Sequence, residues 1–210
     1  MIVKICGITR AQDALQAVEL GATAVGFVFW PSSPRRITPD AARSIVAQLP
    51  ASTLKVGVFV DELQDEIERV ADRVGLDQLQ LHGQERPDFA RALTRPCIKA
   101  IGLGPGTDDA LLAGWEGMRV LLDAHDPVRR GGTGLQVDWV RAARIARRRD
   151  IILAGGLTAE NIVDAVRAVR PAGVDVSSGV ERAPGIKDER RMAALFDALA
   201  AVEAACDDQE

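Results

Sequence analysis

The sequence predicts a single (β/α)8 TIM barrel, an α/β fold in which eight parallel strands alternate with helices around a closed sheet. Short runs rich in Val and Ile recur along the whole 210-residue chain, and a helical pattern follows each of them. One strand with its helix takes roughly 26 residues, so eight such units fill the chain. A doubly wound open sheet is the alternative, because alternation alone does not establish that the sheet closes.

The predicted strands are short, apolar and bounded by Gly or polar residues. They span residues 2–6, 24–29, 55–60, 78–81, 97–101, 119–123, 151–154 and 174–177. No linker composition interrupts the alternation, which predicts one domain over residues 1–205. Residues 206–210 form an acidic tail that we expect to be frayed and functionally neutral.

The first two helices have readable ends. Thr9 and Gln12 have the spacing of a capping box, and Gly21 stands where a glycine ends a helix. Thr38 precedes Pro39, which predicts a cap residue followed by a proline at the first helical position.

Three later helices are predicted from apolar residues spaced at i, i+3, i+4 and i+7. Asp61 begins one that ends at Gly75, Thr158 caps another, and the last spans residues 187–203. Their apolar faces contain Ile67, Val70, Ala71 and Val74; then Ile162, Ala165, Val166 and Val169; and finally Met192, Leu195, Phe196 and Leu199. The helical patterns after the fourth and fifth strands are weak.

Composition excludes several classes of function. The formal net charge of −4 argues against a nucleic-acid-binding protein. Three scattered cysteines form neither a disulfide framework nor a C-x-x-C metal site, which indicates reduced thiols in the cytoplasm. Neither a signal segment nor a membrane span is evident in the sequence, so no membrane partner is expected.

Polar residues stand at several strand ends, where a parallel barrel carries its chemistry. Cys6 ends the first strand on the same face as Lys4, whose ammonium would favour a thiolate. Cys6 is either a reactive thiol or a small buried core residue, and position alone does not decide. Asp123 ends an apolar strand, which favours a role in a site over that of a simple loop cap.

Glycine-rich segments follow the last three strands, at residues 131–134, 155–156 and 178–179. The last two stand where barrels bind phosphate, because backbone N–H groups there can approach an anion closely. A further segment, residues 102–106, reads G-x-G-x-G and lacks the spacing of a dinucleotide-binding loop. His82 and His125 are too isolated for a metal site, although either could contact a substrate.

Together these residues resemble the phosphoribosylanthranilate isomerase family of tryptophan biosynthesis, along essentially the whole chain. The motifs that carry the resemblance are K-I-C-G-I-T at 4–9, G-F-V-F at 26–29, Q-L-H-G at 80–83, L-D at 122–123, G-G-T-G at 131–134, D-W at 138–139, A-G-G-L at 154–157 and D-V-S-S-G-V-E at 175–181.

The resemblance implies a barrel without a cofactor, acting on a phosphorylated aminosugar through an Amadori rearrangement. It implies that Cys6 is the general base and Asp123 the general acid. Arg35, or its neighbour Arg36, would hold the anthranilate carboxylate, and counting back from the Thr38 helix start favours Arg35.

The other implied substrate contacts include a phosphate site, and a glycine loop is a possible lid. Gly155, Gly156, Ser178 and Gly179 would hold the phosphate, Gln80 and His82 would contact the substrate, and Gly131, Gly132 and Gly134 would form the lid. The protein is expected to be a monomer or a homodimer.

Three rival functions remain open at the level of sequence. A Schiff-base lyase would use Lys4 or Lys99 as its amine. A histidine-pathway isomerase would be expected to use two carboxylates, one of them where Cys6 stands. A catalytically silent barrel would have no reason to retain both Cys6 and Asp123.

Overall fold

The computed structural model describes residues 1–104, 112–124 and 137–207. Eight parallel strands form a closed barrel, which confirms the predicted fold class. Closure is made by β1 pairing with β8, with Ile2 opposite Gly173 and Ile5 opposite Val176. The open-sheet alternative is therefore excluded.

The strands follow the predicted order, with ends that differ by no more than two residues. They are β1 (Ile2–Cys6), β2 (Ala24–Val28), β3 (Leu54–Phe59), β4 (Gln78–Leu81), β5 (Cys97–Leu103), β6 (Arg119–Ala124), β7 (Ile151–Leu153) and β8 (Gly173–Val176). A hairpin of β9 (Glu181–Ala183) and β10 (Ile186–Lys187) follows a short 3₁₀ helix, Ser178–Val180.

The helices form the outer layer. They are α1 (Ala11–Glu19), α2 (Pro39–Val46), α3 (Gln64–Val74), α4 (Pro87–Ala92), α5 (Trp139–Ala146), α6 (Ile162–Val169) and α7 (Glu189–Asp207). None of these described helices is long and apolar enough to cross a membrane. The predicted domain boundary at residue 205 falls inside α7.

Several predicted helix ends are confirmed. Thr38 caps α2, its side chain accepting a hydrogen bond from the Ala41 backbone, with Pro39 at the first helical position. Gly75 ends α3 in the left-handed conformation, and Gly21 follows the end of α1 with φ +114°.

Three predicted helix starts and the start of the last helix are wrong, because the residues concerned make other contacts. The Thr9 hydroxyl donates to the Gly185 carbonyl instead of capping α1, which has Arg10 at its N-cap. Asp61 accepts from the Gln84 backbone, and α3 starts after Leu63.

Near the C-terminus, the Thr158 backbone donates to Asn161, and α6 starts only at Ile162. The last helix starts at Glu189 rather than residue 187, because Lys187 belongs to the hairpin.

Two apolar layers hold the barrel together. Side chains that point inward form a small central cluster: Ala24, Val56, Ile98, Ala100, Leu121, Ile152 and Ala154. Side chains on the opposite faces of the strands pack against the helices in a much larger cluster, which includes Ile67, Val70, Met192 and Leu195. Strand alternation thus keeps Lys4 and Cys6 apart from the helix layer.

Candidate active site

A cavity opens at the carboxyl ends of the strands. Its walls combine the two proposed reacting groups with the glycine-rich loops after β7 and β8. The predicted site residues that line it are Cys6, Arg35, Gln80, His82, Asp123, Gly155, Gly156, Ser178 and Gly179. Fold closure thus brings together residues from β1, β4, β6, β7 and β8.

Cys6 lies at the end of β1 and is 7% exposed. A Cβ atom on Gly26, the facing residue of β2, would lie 2.8 Å from the Cys6 sulfur and 3.1 Å from the Lys4 ammonium. Only glycine therefore leaves room for both groups at this point of the barrel.

Lys4 is 1% exposed, and its charge is compensated within the barrel. Its Nζ donates to Asp175 Oδ1 at 2.9 Å and to Gln80 Oε1 at 3.0 Å. Burial opposes the charge, but the carboxylate of Asp175 and the neighbouring Cys6 raise the pKa of Lys4 overall. Lys4 is thus an ammonium, a form that cannot attack a carbonyl as the Schiff-base rival requires.

The environment of Cys6 raises the pKa of its thiol. Burial is the largest cause, the Asp175 carboxylate adds to it, and the Lys4 and Lys187 ammonium groups oppose it. Lys4 acts in the expected direction, since its ammonium lowers the pKa of the thiol, but desolvation and Asp175 outweigh it. Cys6 rests as a neutral thiol with a cation beside it.

Asp123 is the last residue but one of β6, on the far side of the cavity, and is 6% exposed. Its Oδ1 accepts from the backbone of Ala124 at 2.8 Å, and its Oδ2 lies 3.5 Å from His82 Nε2. Gly155, with φ +81°, passes directly beneath it: a Cβ there would lie 2.6 Å from the Ala124 nitrogen and 3.0 Å from Asp123 Oδ1.

Gln80 and His82 lie between Cys6 and Asp123, the two predicted reacting groups. Gln80 is 1% exposed. Its Oε1 accepts a hydrogen bond from Lys4 Nζ, and its Nε2 lies 3.1 Å from His82 Nδ1. His82 reaches from Gln80 to Asp123. Both residues line the cavity, but their polar atoms are engaged with protein groups.

Arg35 is buried against the loops after β2 and β8, whereas Arg36 is exposed. Its Nε and Nη2 donate to the Glu181 carboxylate at 3.0 and 2.7 Å. Although burial acts against ionisation, Arg35 and Lys187 lower the pKa of Glu181, which stays a carboxylate. Arg35 also crosses Gly7, where a Cβ would lie 2.6 Å from its Cδ.

The glycines after β7 and β8 adopt backbone shapes that a side chain would prevent. Gly155 and Gly156 have φ values of +81° and +65°. A Cβ on Gly179 would overlap the carbonyl oxygen of Leu157. Ser178 and Gly179 begin the 3₁₀ helix, whose first N–H groups have no partner within the helix.

Sequence reasoning assigned no partner to Lys4 and no role to Asp175 or Glu181. Asp175 could have been identified as an inward-facing polar residue near a strand end, since side chains alternate along a strand. Its ion pair with Lys4 could not, because that contact depends on the register of β1 with β8. Lys99, the other candidate amine, bonds Glu85 and the Gly83 carbonyl instead of lining the cavity. Gly131, Gly132, Gly134 and His125 lie outside the described residues.

Comparison with known proteins gives one consistent result. The family described as PRAI, N-(5'phosphoribosyl)anthranilate (PRA) isomerase, matches residues 3–198. The isomerase of that name from Pelobacter propionicus is 50% identical over 186 residues, covering 89% of each chain.

Solved structures agree with it. Phosphoribosyl anthranilate isomerase from Thermotoga maritima aligns with a TM-score of 0.89 at 41% identity, over 96% of this chain and 100% of its own. A second isomerase structure, in complex with reduced 1-(o-carboxyphenylamino)-1-deoxyribulose 5-phosphate, aligns with a TM-score of 0.86 at 40% identity over the same shares.

Proposed function

The chain belongs to the N-(5'-phosphoribosyl)anthranilate isomerase family of tryptophan biosynthesis, and from that premise we propose the residues and steps by which it acts. The reaction converts N-(5-phosphoribosyl)anthranilate to 1-(2-carboxyphenylamino)-1-deoxyribulose 5-phosphate by an Amadori rearrangement. The observation that carries the assignment is that Cys6, Asp123 and the two glycine loops line one cavity.

Asp123 is the general acid of the proposed mechanism. It donates a proton to the ring oxygen of the aminosugar, the carbon–oxygen bond breaks, and the furanose opens to a protonated Schiff base. Its place at the end of β6, with one oxygen held by the Ala124 backbone, leaves Oδ2 to face the cavity and His82.

Cys6 is the general base. As thiolate, it removes the proton from the sugar carbon next to the Schiff base, and the resulting enolamine tautomerises to the ketone. The iminium nitrogen is two bonds from that carbon, so its positive charge joins Lys4 in favouring the thiolate. Ring opening thus supplies part of the electrostatic activation that the resting site lacks.

The substrate's two anionic ends are bound by different loops in this proposal. The backbone of Gly155, Gly156, Ser178 and Gly179 receives the phosphate. Arg35 receives the anthranilate carboxylate: Glu181 holds its Nε and Nη2, while its Nη1 has no acceptor among the described residues. A guanidinium held in place on one edge is preorganised to bind with the other.

The test is the loss of anthranilate-type fluorescence when phosphoribosylanthranilate, generated in situ, meets the protein. We expect rapid decay with the wild type and a loss of about 10²-fold or more in Cys6→Ser and in Asp123→Asn. Cys97→Ser and Asp164→Asn are the matched controls, because Cys97 begins β5 and packs against the helix layer, and Asp164 is exposed on α6. Decay that survives both site substitutions would move the proton-transfer groups elsewhere.

Two further assignments are part of the proposal. The protein is a monomer or a homodimer; a Thermotoga maritima relative is described as dimeric, with monomers generated from it. We place the enzyme in the cytoplasm, where its pathway and its unpaired thiols fit.

A further inference from the structure

A continuous line of polar contacts crosses the cavity floor from the proposed base to the proposed acid. It begins at Cys6, next to the Lys4 ammonium, and passes from Lys4 Nζ to Gln80 Oε1 at 3.0 Å. It continues from Gln80 Nε2 to His82 Nδ1 at 3.1 Å and ends with His82 Nε2, 3.5 Å from Asp123 Oδ2.

The ammonium of Lys4 determines which atom donates and which accepts in each hydrogen bond that follows it in this line. An ammonium can only donate, so the Gln80 atom that faces Lys4 must be the amide oxygen. The Gln80 nitrogen therefore faces His82, and because an amide nitrogen can only donate, His82 Nδ1 must accept. The ring proton then belongs on Nε2, the nitrogen that faces Asp123.

We propose that Lys4, Gln80 and His82 form a positioning relay, in which Lys4 orients the Gln80 amide, Gln80 selects the Nε2–H tautomer of His82, and His82 directs that N–H at Asp123. The inference rests on the proposed function, since it gives the relay a purpose only if Asp123 is the acid. It assigns Gln80 to the support of the acid rather than to contact with the substrate.

The relay is most useful after the first proton transfer. Once Asp123 has donated its proton, the carboxylate left behind needs a hydrogen-bond donor in a site from which water is largely excluded. His82 Nε2–H is positioned to supply one, and a modest tightening of the 3.5 Å separation makes the hydrogen bond. The opposite tautomer would present a lone pair to the carboxylate and oppose the step.

The tautomer can be measured without substrate. The chain has two histidines, so a protein labelled with ¹⁵N only in histidine gives few ring signals, and His125→Gln assigns them. We expect wild-type His82 to carry its proton on Nε2 and none on Nδ1. In Gln80→Glu, a carboxylate oxygen replaces the donor, so Nδ1 must gain a proton. Gln78→Glu makes the same change at the start of the same strand and should leave the spectrum unaltered.

Kinetics then separate positioning from binding. We expect Gln80→Met, which keeps the shape but not the donor, to lower kcat by about tenfold, a fraction of the 10²–10⁴-fold that an acid contributes. KM should stay within about twofold, whereas a residue that mainly contacted substrate would raise KM.

The histidine itself provides a rescue test. His82→Gln places an amide N–H near the Nε2 position and should retain more activity than His82→Leu, which has no donor. Equal activity of these two variants would overturn the proposal, as would a wild-type ring with its proton on Nδ1. Full activity in Asp123→Asn would instead remove the proposed acid while leaving the tautomer result standing, so the two failures are distinguishable.

Discussion

At the scale of single residues, burial and charged neighbours of opposite sign set the pKa of the Cys6 thiol. Burial and the Asp175 carboxylate hold the pKa of the thiol above its usual range, and the Lys4 ammonium pulls against them. Asp175 Oδ1 also accepts a hydrogen bond from Lys4 Nζ at 2.9 Å. The Asp175 carboxylate therefore raises the pKa of both Lys4 and Cys6, which favours the ammonium and the neutral thiol. In the proposed mechanism, Cys6 therefore stays protonated until ring opening of the substrate places a positive charge near it.

This balance predicts how activity depends on pH. Since the pKa of Cys6 is raised and the base must be a thiolate, kcat/KM should rise with pH through the neutral and mildly alkaline range. Asp175→Asn removes a cause that raises the pKa, so its rising limb should move to lower pH. Lys4→Met removes a cause that lowers it, so that limb should move to higher pH. The measurement is the pH profile of kcat/KM for the three proteins, and identical profiles would exclude Cys6 as the titrating base.

Single-residue reasoning from the sequence predicted Cys6 and Asp123 as reacting groups but did not identify their partners. Cys6 and Asp123 were predicted because each ends an apolar strand, which is a local property. Asp175, by contrast, is 171 positions from Lys4 along the chain, and only the β1–β8 register brings them together. For the same reason, the sequence indicated the effect of Lys4 on the Cys6 pKa but not the opposing effect of Asp175.

At the scale of elements, the loop after β7 is shaped by how closely it passes β6. Gly155 combines a φ of +81° with crowding by the Ala124 nitrogen and by Asp123. Gly117 has nearly the same φ, +77°, but nothing lies within 4 Å of the Cβ position. A comparison of substitutions at these two glycines therefore distinguishes the effect of backbone strain from the effect of steric contact with Asp123.

We expect both Gly→Ala substitutions to destabilise the protein by about 1 kcal/mol through strain alone. Only Gly155→Ala should also displace Asp123 and lower kcat/KM, by about tenfold or more, because small misplacements of reacting groups are costly. Urea unfolding and the fluorescence assay, run on both variants, check this. Comparable activity losses in the two would show that strain, and not contact with Asp123, is responsible.

Elements were predicted well where the signal is local. Thr38 and Gly75 act within their own helix, so they were read correctly from sequence. Thr9 and Asp61 are residue types that often cap helices, but here each bonds to a loop distant in sequence. The Thr9 hydroxyl donates to the Gly185 carbonyl, and the Asp61 carboxylate accepts from the Gln84 backbone. A cap is only the default partner of such a side chain, and tertiary contacts can replace it.

At the scale of the whole molecule, barrel closure turns eight local patterns into one structure. Eight apolar runs, each followed by a helical pattern, made the fold class predictable before any contact was known. The hairpin of β9 and β10 was not predicted, because its two short strands carry no periodic pattern. It nevertheless supplies Glu181 and Lys187, and the Lys187 ammonium bonds the carbonyls of Cys6 and Ser177 at the β1–β8 seam.

The free energy of unfolding should fall at alkaline pH, and ionisation of Cys97 should account for part of that fall. Burial, reinforced by Glu68 and Glu85, raises the pKa of Cys97 to about 11. In the unfolded chain the thiol ionises at about pH 8.5, so above that pH the unfolded state loses a proton that the folded state retains. The stability linked to Cys97 is therefore present below that pH and is lost as the pH approaches the folded-state pKa.

Comparison with Cys97→Ala isolates this contribution, since all other groups titrate alike in the two proteins. The variant should be less stable near neutral pH, because Cys97 packs against the helix layer. Its deficit should then shrink by about 1 kcal/mol between about pH 9 and about pH 11, less than the full shift would give because the thiol is only half-buried and water screens its charge. Urea unfolding at a neutral and an alkaline pH measures the deficit. A deficit that stays constant would mean that the thiol ionises equally in both states and that Glu68 and Glu85 exert no effect on it.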